Sequence, residues 1–208
     1  LTICLGRDFL RKSGDTGLAF VATIHIQEWM KRARFGVFLN LWGRTLAQYG
    51  SAITKFVEKG GELVATVIPW NRMIVDPVDF YALPRIEKFY KTPAQLRQMG
   101  YDQDVVEELC SNVQSRETLQ GQKVDNKGEF IELYEVHGEL PLSFITDEEK
   151  DEKTFRQQMH VVSFIQNKQT KQFKDFTLYS GLEAKDPYIK TDLIEEDGRT
   201  LSIGAVEY

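Results

Sequence analysis

Between residues 20 and 49 apolar side chains recur at steps of three and four: Ile26, Met30, Ala33, Val37 and Leu41, widened by Trp29, Phe38 and Trp42. That is the period of a helix with one apolar stripe, and it predicts a single long helix over 20–49. Tyr49-Gly50-Ser51 closes it, since glycine can take the left-handed backbone that ends a helix. The period then changes to two. AITKFVEKGGELVATVI alternates on either side of Gly60-Gly61, and two β-branched runs around such a turn predict a hairpin, because the turn needs positive φ at both positions. Pro69 removes a ladder donor, so the second strand ends there or lies at an edge. RMIVDP reads as a short apolar strand with a bent exit: Pro77 forces Asp76 to be extended, and the Asp76 carboxylate can bond nearby amides as an Asx turn. RIEKFY alternates again, with Ile86, Lys88 and Tyr90 on one side and Glu87 and Phe89 on the other.

Thr92-Pro93-Ala94-Gln95 has the form of a capping box, with Thr92 at the N-cap, Pro93 at the first helical position and Gln95 reaching back. The helix it starts is short, Pro93 to Met99, because Gly100 stops it. Asp102 caps a second helix in which Val105, Val106, Leu109, Cys110 and Val113 share one apolar face. VDNKGE is turn chemistry, and FIELYEVHGELP after it reads as a strand that stops by Pro141. TDEEKDEK, from Thr146 to Lys153, reads as a solvated loop. MHVVSFI and FKDFTLYS flank the polar QNKQTK and predict a second hairpin. After Asp186-Pro187 the tail is mixed, with a turn at Gly198. These elements predict an α+β fold: one long N-terminal helix, mixed or antiparallel short strands and hairpins, and two short helices. Its divisions are a lead-in segment over 1–19, an α/β core over 20–140, an acidic loop over 141–158, and a hairpin with its tail over 159–208.

Charge narrows the possible partners. The 208 residues carry 26 Lys and Arg against 31 Asp and Glu, a net charge of -5, which argues against a protein gripping nucleic-acid phosphates over its whole surface. A local patch remains open: Lys31, Arg32, Arg34 and Arg44 fall mostly outside the helical stripe, and they are either phosphate contacts or a solvated face. No apolar run reaches membrane-spanning length. The only cysteines, Cys4 and Cys110, have neither metal nor redox spacing and read as reduced thiols. The chain starts at LTICLG and stops at IGAVEY without a cap or a polar tail, and is expected to be a segment of a longer polypeptide.

The search for chemistry yields little. His25, His137 and His160 fall in a helix and two strands with no second ligand at i+2 or i+4, so no metal is expected. Cys110 and His137 can be drawn as a thiol dyad, but Cys110 lies on an apolar helix face, where a thiolate is disfavoured. Phosphate-cradle and nucleophile-elbow motifs are absent. Asp76 and Asp79 could form a carboxylate pair, but beside Pro77 they read as turn builders. Neither a catalytic residue nor a cofactor is expected.

The order of elements carries a resemblance. A helix ending AQYGSAITKFV, a hairpin, VIPWNRMIVDP, IEKFYKTPAQLRQMGY, and then EFIELYEVHGELP together resemble the portal proteins of tailed bacteriophages. DPYIKTDLIEEDGRTLSIGAVEY resembles the stretch before a long helix of the same proteins, with Ser202 standing where a second Gly is expected. The likeness covers residues 20–140 and 186–208 and rests on Tyr49, Gly50, Gly60, Gly61, Asp76, Pro77, Thr92 and Pro93 in that order. The stretch from Leu142 to Gln158 has no counterpart. The resemblance implies a non-enzymatic, self-associating ring, usually a dodecamer, at one vertex of the virion shell, assembled in the host cytoplasm. Double-stranded DNA passes through it, and capsid protein, terminase and connector proteins are its partners. This chain would be the outer α/β part, or wing, leading into a missing stem helix, with the clip, tunnel loop and crown mostly outside it. Two other readings compete: a nucleic-acid-binding module using Lys31, Arg32, Arg34 and Arg44, and a hydrolase dependent on Cys110.

Overall fold

The computed structural model describes residues 16–118, 130–146, 153–166, 173–183, 185–195 and 198–205. In chain order the elements are α1 (Thr16–Arg32), α2 (Phe35–Tyr49), β1 (Ser51–Lys59), β2 (Glu62–Ile68), a 3-10 turn (Trp70–Arg72), β3 (Met73–Ile74), β4 (Arg85–Lys91), α3 (Pro93–Arg97), α4 (Gln103–Thr118), β5 (Ile131–Pro141), α5 (Ser143–Thr146), β6 (Phe155–Gln166), β7 (Phe173–Leu182) and β8 (Tyr188–Asp192). The fold is α+β. It divides into two units, one from residues 1–69, 187–196 and 201–208, the other from 70–186 and 197–200.

In the first unit the expected long helix is two helices. The chain breaks at Arg34, which takes a left-handed backbone with φ 51° and ψ 39°. Such a backbone costs a non-glycine residue about 1–2 kcal/mol. The break sets the Phe35 ring between Trp29, at 5.5 Å, and Phe38, at 5.2 Å. Two aromatic contacts of about 0.5–1.5 kcal/mol each are enough to offset the strain. Apolar periodicity runs straight through the break and therefore does not reveal it. Helix α1 also begins at Thr16, inside the stretch read as a lead-in segment. Along the stripe Ile26, Val37 and Leu41 are exposed, while Ala19 and Leu46 of the same two helices are buried.

Gly50 closes α2 as expected, at φ 69°, with its N–H donating to the Leu46 carbonyl at 2.8 Å. The hairpin also forms as read: Gly60 and Gly61 have φ of 63° and 77°, and β1 pairs antiparallel with β2 from Lys59 opposite Glu62 to Ile53 opposite Ile68. Strand β2 ends one residue before Pro69. The sequence did not mark β8, which pairs antiparallel with the free side of β1 from Ser51 opposite Asp192 to Lys55 opposite Tyr188. Ser51, wholly buried, ties this edge together: its hydroxyl donates to Asp192 Oδ1 at 2.6 Å and accepts the Ser202 N–H at 2.9 Å.

The second unit is a five-stranded antiparallel sheet in the order β3-β4-β5-β6-β7. Leu96 of α3 and Val106, Leu109 and Cys110 of α4 pack against Ile131, Leu133, Val161, Ile165, Phe176 and Leu178 of the sheet. The capping box is complete, with Thr92 Oγ1 accepting from the Gln95 N–H at 3.3 Å and Gln95 Oε1 accepting from the Thr92 N–H at 3.0 Å. Asp102 accepts the Asp104 N–H at 3.0 Å and starts α4 as read. Helix α4, with 16 residues, is not short. The range read as an acidic loop, 141–158, holds the end of β5, all of α5 and the start of β6, because the β5–β6 ladder continues out to Pro141 opposite Phe155. The loop's acidic centre at 147–152 lies outside the described residues.

Candidate functional site

Strand alternation sets the site. On β5, residues Ile131, Leu133, Glu135 and His137 share the face that meets α3 and α4, so an apolar register turns polar after its second member. On β4, Arg85 lies opposite His137 and Glu87 opposite Glu135. Arg85, Glu87 and His137 are all buried. His137 Nε2 lies 2.5 Å from Glu135 Oε1, and its Nδ1 lies 2.8 Å from Glu183 Oε2, just beyond β7. Gln157 Nε2 donates to the same Glu183 oxygen at 3.4 Å, and the Glu183 N–H donates to the Gln157 carbonyl at 3.0 Å. Arg85 pairs with Asp186 at 2.5 Å. A neutral imidazole has one N–H, so only the imidazolium can donate to both carboxylates. Burial pulls the His137 pKa down, but the hydrogen bonds and charges of Glu135 and Glu183 outweigh it and hold the pKa above its ordinary value.

The carboxylates sit on opposite ring nitrogens and cannot converge on one ion. Among the described residues no group of three or more His, Cys, Asp or Glu is arranged to hold a metal. The Cys110–His137 dyad also fails: both imidazole nitrogens face carboxylates, and burial pushes the buried Cys110 thiol upward in pKa.

The other face of the sheet carries a second network. Gln158 Nε2 donates to the Leu140 and Pro141 carbonyls, at 2.7 and 3.0 Å, which leaves its Oε1 as the acceptor 2.8 Å from His160 Nε2. His160 therefore carries its proton on Nε2, and Nδ1 accepts from the Ser180 hydroxyl at 3.0 Å. Burial lowers the His160 pKa, keeping the ring neutral. This orients a serine toward a base, but Gln158 offers no charge to stabilise an imidazolium. Nearby, Lys88 bridges to Glu132 at 2.7 Å, and Glu132 also accepts the Tyr134 hydroxyl.

The four basic residues do not form one helical face. Lys31 and Arg32 end α1, Arg34 is the break, and Arg44 lies on α2. Arg32 pairs with Glu62 at 2.9 Å. Lys31 and Arg34 line an open concavity of about 600 Å³ with Met30 and Val37. Asp76 is a turn builder: its Oδ1 accepts the Val78 and Asp79 N–H groups at 2.8 and 3.0 Å, which lowers its pKa, while Asp79 accepts the Tyr81 N–H at 2.9 Å.

The sequence reading missed Glu135, Glu183, Gln158 and Ser180. Their partners come from cross-strand register, and the one visible signal was a Glu and a His in the apolar register of ELYEVHG. No family model matches the chain, and no curated protein matches it. Among the described residues no helix is long and apolar enough to cross a membrane.

Proposed function

We propose that this chain is the wing region of a portal protein of a tailed bacteriophage. In that role it is part of a longer polypeptide that assembles into a ring at one capsid vertex. The ring passes double-stranded DNA during packaging and ejection and docks terminase and connector proteins. The observation that carries the reading is a meeting within the first unit. The two stretches with the portal-like pattern, far apart in sequence, are in backbone contact: Gly50 against Ser202 and Ile203, and Gly204 against Ala47 and Gln48. At Gly50 a Cβ would lie 2.3 Å from the Ser202 carbonyl oxygen, and at Gly204 one would lie 2.8 Å from that of Gln48. Glycines at both places are what this approach requires. The exposed Leu18, Phe20, Val21, Val37 and Leu41 of α1 and α2 also favour a chain that is covered in an assembly.

A second reading, a nucleic-acid-binding module, is favoured by Lys31 and Arg34 sharing one concavity. Titration of labelled duplex DNA at physiological salt separates the two. The wing reading expects binding weaker than about 0.1 mM. Tight binding with a log–log salt slope near about -3 to -4, as four phosphate contacts would give, favours the module.

A further inference from the structure

The charged end of the second unit has a feature that neither reading uses. Glu183 follows β7, and three residues later Asp186 is the last residue before the chain returns to the first unit at Pro187. Both acidic residues are held by cations projecting from the sheet: Glu183 by His137 of β5, and Asp186 by Arg85 of β4. The guanidinium keeps its charge at any ordinary pH, whereas the imidazole does not.

We propose that His137 is a proton-operated clasp: as an imidazolium it donates one N–H to Glu135 at 2.5 Å and one to Glu183 at 2.8 Å, holding Glu183 against β5, and on loss of a proton the single remaining N–H stays with the nearer Glu135 and gives up Glu183. The groups around it come from every neighbouring element. Strand β4 supplies Arg85, already paired with Asp186, and Glu87 opposite Glu135. Strand β6 supplies Gln157, which is uncharged but donates to Glu183, and Met159 as the register partner of His137. Tyr101, from the connection before α4, is pushed up to about 12 by burial and then by the Glu135 charge, so it stays a neutral phenol throughout. In the neutral range the ring is therefore the group that titrates, and it does so among a majority of negative charges.

The sign follows from the raised pKa. The clasp is fully closed below the ordinary histidine value of 6.5, weakens as pH rises toward the His137 midpoint, and is open above it. Asp186 stays pinned by Arg85, so the release is local to the residues around Glu183.

The test is histidine side-chain NMR titration of the 208-residue chain, assigned with His25→Gln and His160→Gln, alongside hydrogen exchange of the Glu183 amide corrected for intrinsic base catalysis. The clasp predicts a His137 midpoint above 6.5. It also predicts Glu183 protection that is flat at lower pH, falls by up to about tenfold per pH unit toward that midpoint, and is flat beyond it. Glu183→Gln keeps the shape but replaces the charged, acceptor-only carboxylate by a neutral amide with one acceptor oxygen, so it should lower the midpoint and abolish the break in protection. A His137 midpoint at or below the ordinary value overturns the proposal. So does Glu183 protection that ignores the titration, or a break that survives Glu183→Gln.

Discussion

Replacing Gly50 by Ala tests the contact on which the functional reading rests. The left-handed backbone at φ +69° costs an L-residue about 1–2 kcal/mol. The new Cβ would also lie 2.3, 2.4 and 2.5 Å from three backbone atoms of Ser202 and Ile203, too close to be absorbed by a side-chain rotation. Moving the tail away gives up the Ser202 N–H to Ser51 Oγ bond at 2.9 Å, about another 1 kcal/mol, and exposes the buried Ser51 and Ser202. The sum is about 3 kcal/mol, or roughly a hundredfold in the folding equilibrium. Two glycines calibrate it. Gly61→Ala, at φ +77° with nothing within 4 Å, should cost only the backbone share, about 1 kcal/mol. Gly43→Ala, inside α2 with open space around it, should stabilise by about 0.5–1 kcal/mol. Urea unfolding followed by tryptophan fluorescence in a Trp70→Phe background reads the first unit alone, through Trp29 and Trp42. A Gly50→Ala cost no larger than that of Gly61→Ala would refute the close approach.

Other outcomes follow from the second unit. Thr92→Ala removes the arm of the capping box that accepts the Gln95 N–H, leaving the backbone N–H of position 92 to Gln95 Oε1, and should cost about 1 kcal/mol in urea unfolding, with Gln95→Ala costing less. Leu133→Ala empties a fully buried position between sheet and helices and should cost about 2–5 kcal/mol. In a Cys4→Ser background the Cys110 thiol should resist Ellman's reagent in the native state and react in step with unfolding; rapid native labelling would show that α4 does not bury it.

What the sequence revealed and what it hid divide by distance along the chain. The Gly60-Gly61 turn, the Thr92 to Gln95 box and the Asp76 turn are each complete within four adjacent residues, so composition alone announced them. The break at Arg34 was invisible because the apolar step continues across it, and the aromatic contacts that favour it depend on geometry. Strand β8 is five residues without alternation, and only its pairing with Ser51–Lys55, more than a hundred positions away, defines it. The charged end of the sheet was hidden for a related reason. Glu135 and His137 were readable as polar intruders in an apolar register, but Glu183 meets them only through the β5–β6–β7 register. The exposure of the stripe on α1 and α2 was not legible either, because periodicity reports an apolar face without reporting what covers it.

Electron microscopy of the protein expressed from its complete reading frame addresses the central claim most directly. The portal reading predicts closed rings of about a dozen copies with residues 16–205 in the outer layer, while the 208-residue chain by itself, lacking the stem, stays monomeric. A full-length protein that remains a monomer or a dimer, or rings with this region lining the channel, would contradict it.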